Sequence, residues 1–103
     1  MIKISNKNIN KFLEDYNYLK GKTINTIKYD IIKDKIEVTI DNIKLVCNKI
    51  KECDIREYYS WEEIDKCFLE SVKFNNLDTI CFATSNDNPS LYIVCDEIKY
   101  SIK

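Results

Sequence analysis

The chain contains no histidine, and glycine, proline, arginine, methionine and tryptophan occur once each. Without histidine there is no Ser-His-Asp or Cys-His nucleophile system and no imidazole general base, and the commonest ligand of catalytic zinc is missing. A single glycine, Gly21, excludes a P-loop and a dinucleotide-binding fingerprint, since both need several glycines where backbone approaches phosphate. A single arginine, Arg56, leaves one planar fork for bidentate recognition of phosphate, carboxylate or guanine. The opening residues lack the apolar core of a secretory signal, and no stretch approaches the length of a membrane span. The expected setting is cytoplasmic, with no membrane contact.

Five cysteines are present, Cys47, Cys53, Cys67, Cys81 and Cys95. An odd number in a chain of this kind points to reduced thiols. No C-x2-C pair occurs, so a zinc site would need convergence from distant positions. Cys47, Cys81 and Cys95 sit at apolar positions of expected strands, where free cysteine packs as a small hydrophobe. The 14-residue spacing of Cys53, Cys67, Cys81 and Cys95 is not accompanied by any repeating pattern between them. No cofactor or metal is expected.

Length and composition describe one domain over residues 1–103, long enough to bury a core without staples. Lysine outnumbers arginine 15 to 1 and isoleucine outnumbers leucine 17 to 6. That usage follows A/T-rich codons, as in a low-GC bacterium, its phage or plasmid, or an AT-rich cytoplasmic virus. Ile9, Phe12, Leu13, Tyr16 and Leu19 lie on one helical face, which predicts a helix over 8–20 capped by Asn6 or Asn8 and ended by Gly21. The period then changes to two. Ile27, Tyr29 and Ile31, then Ile36, Val38 and Ile40, then Ile43, Leu45 and Cys47 predict a three-stranded antiparallel meander. Turns are expected near Lys33-Asp34 and Asp41-Asn42, where aspartate and asparagine tolerate left-handed backbone.

Ser60-Trp61-Glu62-Glu63 has the form of a capping box, and Trp61, Ile64, Phe68 and Val72 share a helical face. These predict a second helix over 61–72, with 69–74 also readable as strand. Two more strands are expected over 79–84 and 91–95, with Ile98, Tyr100 and Ile102 forming a last strand or continuing the one before. The predicted class is α+β, in the order α-β-β-β-α-β-β-β, with a mostly antiparallel sheet and two helices.

Charge is segregated along this order. Residues 1–51 carry a net of +5 and residues 52–70 a net of −5, while the whole chain is −1. The acidic stretch also holds Tyr58, Tyr59, Trp61 and the sole arginine. Aromatics and arginine concentrate binding energy at protein interfaces, and surrounding carboxylates steer basic surfaces. Asp54, Arg56, Glu57, Tyr58, Tyr59, Trp61, Glu62 and Glu63 are therefore the expected partner-binding residues. The plainer reading makes Trp61 the anchor of the second helix, with the glutamates complementing its N-terminal dipole. The lysines of the first half are spread over several elements and accompany no nucleic-acid motif, which weighs against DNA or RNA as partner.

The expected function is a non-catalytic protein-binding factor acting by occlusion. A phage or mobile-element inhibitor of a host defence protein, or an immunity protein, would have this inventory. Its partner would be a protein with a basic surface, and self-association is compatible with it. The alternative is a small-molecule binding or sequestering domain, with a pocket between sheet and helices lined by aromatics and cysteines. A hydrolase working through a carboxylate pair is a third reading, although no spacing selects a pair.

Overall fold

A computed structural model describes residues 1–55, 64, 66–72, 76–83 and 89–103. Strand β1 (Ile2–Lys3) is followed by helix α1 (Ile9–Asp15) and a short 3-10 turn (Asn17–Leu19). Strands β2 (Ile24–Asp30), β3 (Lys35–Ile40), β4 (Ile43–Ile55), β5 (Lys66–Val72), β6 (Leu77–Ala83) and β7 (Pro89–Ile102) complete the order. They form one antiparallel sheet, β2-β3-β4-β7-β6-β5, and β1 pairs with the far end of β7.

The β2–β4 meander follows from its alternation. Ile36, Val38 and Ile40 on β3 and Ile43, Leu45 and Cys47 on β4 are all buried, while the residues between them face outward. Asp34 and Asp41 take positive φ in the two turns, at 53° and 49°. Ile31, expected inside the strand, instead lies in the first turn and is 80% exposed, beside Ile32 at 97%.

Strand β4 runs on past Cys47 to Ile55, paired throughout with β7. Along β4 the inward residues are Ile43, Leu45 and Cys47, then Ile50, Cys53 and Ile55; along β7 they are Leu91, Ile93 and Cys95, then Ile98 and Tyr100. Both strands change parity near Lys49, which has φ 57°. A bulge between Ile50 and Glu52 adds a second shift on β4. Asp34 stabilises the irregular stretch: its carbonyl accepts the Lys49 N–H at 2.9 Å and its carboxylate accepts the Ile50 N–H at 3.3 Å. Residues 98–102 continue β7 rather than forming a separate strand.

The first helix is shorter than its stripe. Asn17, Tyr18 and Leu19 have φ of 51°, 55° and 57°, a left-handed turn made without glycine. Such backbone costs roughly 1–2 kcal/mol per residue for non-glycine residues. The turn keeps Leu19 fully buried although the helix has ended. Helix α1 packs through Phe12, whose ring lies 4.5 Å from Tyr100 and 5.1 Å from Tyr16. Asn8 occupies the capping position without a side-chain cap; its side chain instead accepts the Ser5 N–H and donates to the Lys3 carbonyl.

The second helix expected over 61–72 is corrected. Residues 66–72 form β5, paired with β6 from Lys66–Ala83 to Val72–Leu77. Cys67 and Leu69 face the core while Phe68 and Glu70 face away, a period of two. The exposed edge of β6 supplies ladder hydrogen bonds to this segment, which its helical spacing alone does not reveal. The capping box Ser60–Glu63 lies outside the described residues. Among the described residues the class is a mostly antiparallel sheet with one helix and a 3-10 turn, and β1 was not anticipated.

The two edges of the sheet meet at one point. The Gly21 N–H donates to the Ile64 carbonyl at 2.8 Å, and the Ile64 N–H donates to the Lys22 carbonyl at 2.7 Å. Gly21 has φ 79°, the left-handed conformation expected of it. The sheet thus curls around its buried face, and Ile64 is buried at the junction. No helix among the described residues is long and apolar enough to cross a membrane.

Leu45→Ala, at the centre of the β3–β4–β7 core, is expected to lower unfolding free energy by about 2–5 kcal/mol in urea titration. Asp34→Val is expected to lower it by about 1–3 kcal/mol, because it removes the acceptor for Ile50 and puts a β-branched residue at positive φ. Asp34→Asn, which keeps an acceptor and tolerates that φ, should lose much less. An unchanged urea midpoint in Asp34→Val would contradict the role given to this residue.

Candidate functional site

Cross-strand register places a set of side chains on the outer face of β4, β7, β6 and β5. One row reads Asp54, Tyr92, Cys81, Phe68, each opposite the next. The neighbouring row reads Glu52, Val94, Thr79, Glu70. Directly opposed residues in an antiparallel pair share a face and lie within side-chain contact distance. Three carboxylates, two from β4 and one from β5, are thereby gathered around Tyr92 and Phe68.

Glu52, Asp54 and Glu70 are exposed, and Phe68 is 49% exposed. Among the described residues none of the three carboxylates forms an ion pair. The rest of the outer face differs. Glu37 lies 3.3 Å from Lys35 and 3.5 Å from Lys44, and Glu97 lies 3.3 Å from Lys99. Burial works to raise the pKa of Glu37, but the Lys35 hydrogen bond and the charges of Lys44 and Lys35 together hold it below the ordinary value. Glu37 and Glu97 are thus paired with lysines, whereas Glu52, Asp54 and Glu70 make no such pair among the described residues.

That negative charge reaches the phenol and thiol between the carboxylates. Tyr92 is pushed above its ordinary pKa by burial first, then by Glu52, Cys81 and Glu70. Cys81 is raised by burial and then by Glu70. Both groups are therefore held in their neutral forms, and neither is an activated nucleophile. Thr79 is 2% exposed beneath these side chains, and its buried hydroxyl has no hydrogen-bond partner among the described residues.

Beside this face an open cleft of about 370 Å³ lies between α1, the left-handed turn and β5. Leu13, Tyr18, Cys67, Phe68, Leu69 and Glu70 line it. Its size is at the lower end of ordinary ligand pockets. The left-handed turn matters here, since it buries Leu19 while leaving Tyr18 half-exposed at the cleft mouth.

Of the expected partner-binding residues, Asp54 is on the outer face of β4. Arg56, Glu57, Tyr58, Tyr59, Trp61, Glu62 and Glu63 lie outside the described residues. Tyr92, Cys81 and Phe68 were missed as members of the site. Only the register of four strands brings them to the acidic residues, and no local pattern signals that. The cysteines divide by face: Cys47, Cys67 and Cys95 are buried, whereas Cys81 lies on the outer side and Cys53 is half-buried. The Cys47 thiol is held well above its ordinary value by its hydrogen bond with Cys95 and by burial, and burial does the same to Cys67. Among the described residues no group of three His, Cys, Asp or Glu side chains is placed to hold a metal ion. Comparison with protein-family models, curated proteins and solved structures returns no significant match to this chain.

Thr79→Val is expected to leave stability unchanged or raise it by about 1 kcal/mol, because it removes a buried hydroxyl with no partner. A loss of that size in urea titration would contradict the placement of Thr79. In alkylation of the native protein near neutral pH, mapped by mass spectrometry, Cys53 is expected to label before Cys47, Cys67 and Cys95. Early labelling of Cys67 would contradict its burial and raised pKa.

Proposed function

We propose that the protein is a non-catalytic protein-binding factor that acts by occluding a basic surface of its partner. The observation that carries this reading is the set of exposed carboxylates, Glu52, Asp54 and Glu70, which form no ion pair among the described residues and lie around Tyr92 and Phe68 on one sheet face. A face of this kind steers a lysine- or arginine-rich surface and offers aromatic area once contact is made. Residues 56–63 join β4 to the junction at Ile64, so Arg56, Glu57, Tyr58, Tyr59, Trp61, Glu62 and Glu63 belong to the connection leaving this face. They remain proposed partner-binding residues on the sequence argument alone. An inhibitor of a host defence protein encoded by a phage or mobile element, or an immunity protein, is the kind of factor that works in this way. The inventory of absent residues supports a role without catalysis, and the raised pKa values of Tyr92 and Cys81 agree with it.

The cleft between α1 and β5 supports the second reading, a domain that binds or sequesters a small molecule. It combines two aromatic side chains, a cysteine and a carboxylate, and lies between helix and sheet. Thermal-shift screening against nucleotides and metabolites separates the readings, because a ligand bound only by the native state raises its melting temperature.

Substituting Tyr58, Tyr59 and Glu62 together, or reversing Glu52, Asp54 and Glu70 to lysine, is expected to abolish capture of the partner from a host lysate. Folding of each variant would be verified by its amide spectrum. Charge reversal should also remove the dependence of the association rate on ionic strength. Capture that survives both sets of substitutions would overturn the assignment.

A further inference from the structure

The turn between β2 and β3 presents two adjacent isoleucines to solvent, Ile31 at 80% and Ile32 at 97% exposure. This tip is held in shape. The Asp30 carboxylate accepts the Lys33 N–H at 3.0 Å, and Asp34 accepts the Lys49 and Ile50 N–H groups. The Asp30 carboxylate therefore turns onto the tip's own backbone, and the Asp34 carboxylate turns onto β4. Lys33 and Lys49 are exposed and, among the described residues, form no ion pair, whereas Lys35 is paired with Glu37. A fixed apolar tip flanked by lysines is the result.

The cleft beside β5 has the opposite character. It is apolar inside, through Leu13, Tyr18, Phe68 and Leu69, and has the Glu70 carboxylate at its margin. Its volume of about 370 Å³ admits two branched aliphatic side chains. Tip and cleft are thus complementary in shape class, polarity and charge, in keeping with the opposite charges of residues 1–51 and 52–70.

They cannot meet within one molecule. β2 and β5 are separated by five antiparallel pairings, so they run in opposite directions, and both begin at the Gly21–Ile64 junction. From that point β2 carries the tip away over about 25 Å of extended strand. β5 carries Phe68 and Glu70 the other way. We propose that the chain associates head to tail with copies of itself, Ile31 and Ile32 of one copy seated in the Tyr18–Phe68 cleft of the next. The contact is heterologous, so each bound pair leaves one tip and one cleft free, and assembly continues past the dimer. Phe68 and Glu70 also border the acidic face, so a filled cleft covers its margin and competes with a partner there. The inference does not rest on the partner-binding reading.

Sedimentation equilibrium of the full chain from micromolar to millimolar concentration tests it. The weight-average mass is expected to rise with concentration without a plateau at the dimer, and to fall as salt is added. An Ile31→Ser/Ile32→Ser variant lacks the tip, and a Tyr18→Ser/Glu70→Lys variant lacks the cleft. Each alone should remain monomeric. Mixed, they should form a dimer and nothing larger, because one intact tip meets one intact cleft. As a second arm, Lys33→Glu and Glu70→Lys singly should each weaken association at least severalfold, and a mixture of the two single variants should restore it. A monomeric wild-type chain over the whole range overturns the proposal. So does a mixture that stays monomeric, and so does self-association of the Tyr18→Ser/Glu70→Lys variant alone, which would point to pairing of tip with tip. Association that is unchanged in the charge variants also overturns it.

Discussion

The pairing of β4 with β7 is the constraint on which the remaining structure depends. It is the longest ladder in the molecule, running from Ile43–Ile102 to Ile55–Leu91. β3 and β2 extend the sheet on one side of it, and β6 and β5 on the other. The Phe12 ring of α1 packs on Tyr100 of β7, and β1 pairs with the same end of that strand. A ladder this long would twist its inward residues out of the core if both strands kept strict alternation. The parity changes near Lys49 and on either side of Asp96 restore the inward direction, so Leu91, Ile93 and Cys95 are buried along with Ile43, Leu45 and Cys47. Asp34 satisfies two amides at that irregularity, linking the β2–β3 turn to the central seam.

The same seam determines what the surface can do. Beyond the bulge, β4 turns Glu52 and Asp54 outward opposite Val94 and Tyr92. Two more strands across, β5 turns Glu70 and Phe68 to the same side. Each carboxylate is individually an ordinary exposed group. Their common face, the raised Tyr92 phenol between them and the lack of an ion pair among the described residues make the arrangement distinctive. Where lysines do stand on the outer face, around Glu37 and Glu97, the charge is already balanced.

Local periodicity revealed the parts of this fold that are built from neighbours in sequence. The face of α1 and the β2–β4 meander could be read because Ile9, Phe12 and Leu13, and then Ile36, Val38 and Ile40, repeat with one period each. The segment after Ile64 could not. Phe68 and Val72 satisfy helical spacing from Ile64, while Cys67 and Leu69 satisfy strand spacing, and pairing with β6 decides between them. Leu19 continues the helical stripe, yet a left-handed turn places it, at a conformational cost that only its burial explains. Asp54 could be singled out by its acidic surroundings, whereas Tyr92 and Cys81 could not, since they meet it through register with strands some 30 to 40 residues later in the chain. Ile31 looked like strand interior because alternation cannot tell a strand's last residue from the turn that follows it.

The central claim is that strand register across β4, β7, β6 and β5 gathers the acidic and aromatic side chains onto one face. Nuclear Overhauser contacts of the isotope-labelled protein test it most directly. The account predicts cross-strand backbone contacts linking Asp54 with Tyr92, Tyr92 with Cys81 and Cys81 with Phe68, along with extended-chain sequential contacts through Lys66–Val72. Helical contacts between residues three apart in Lys66–Val72, with the cross-strand set missing, would contradict both the fold and the site built on it.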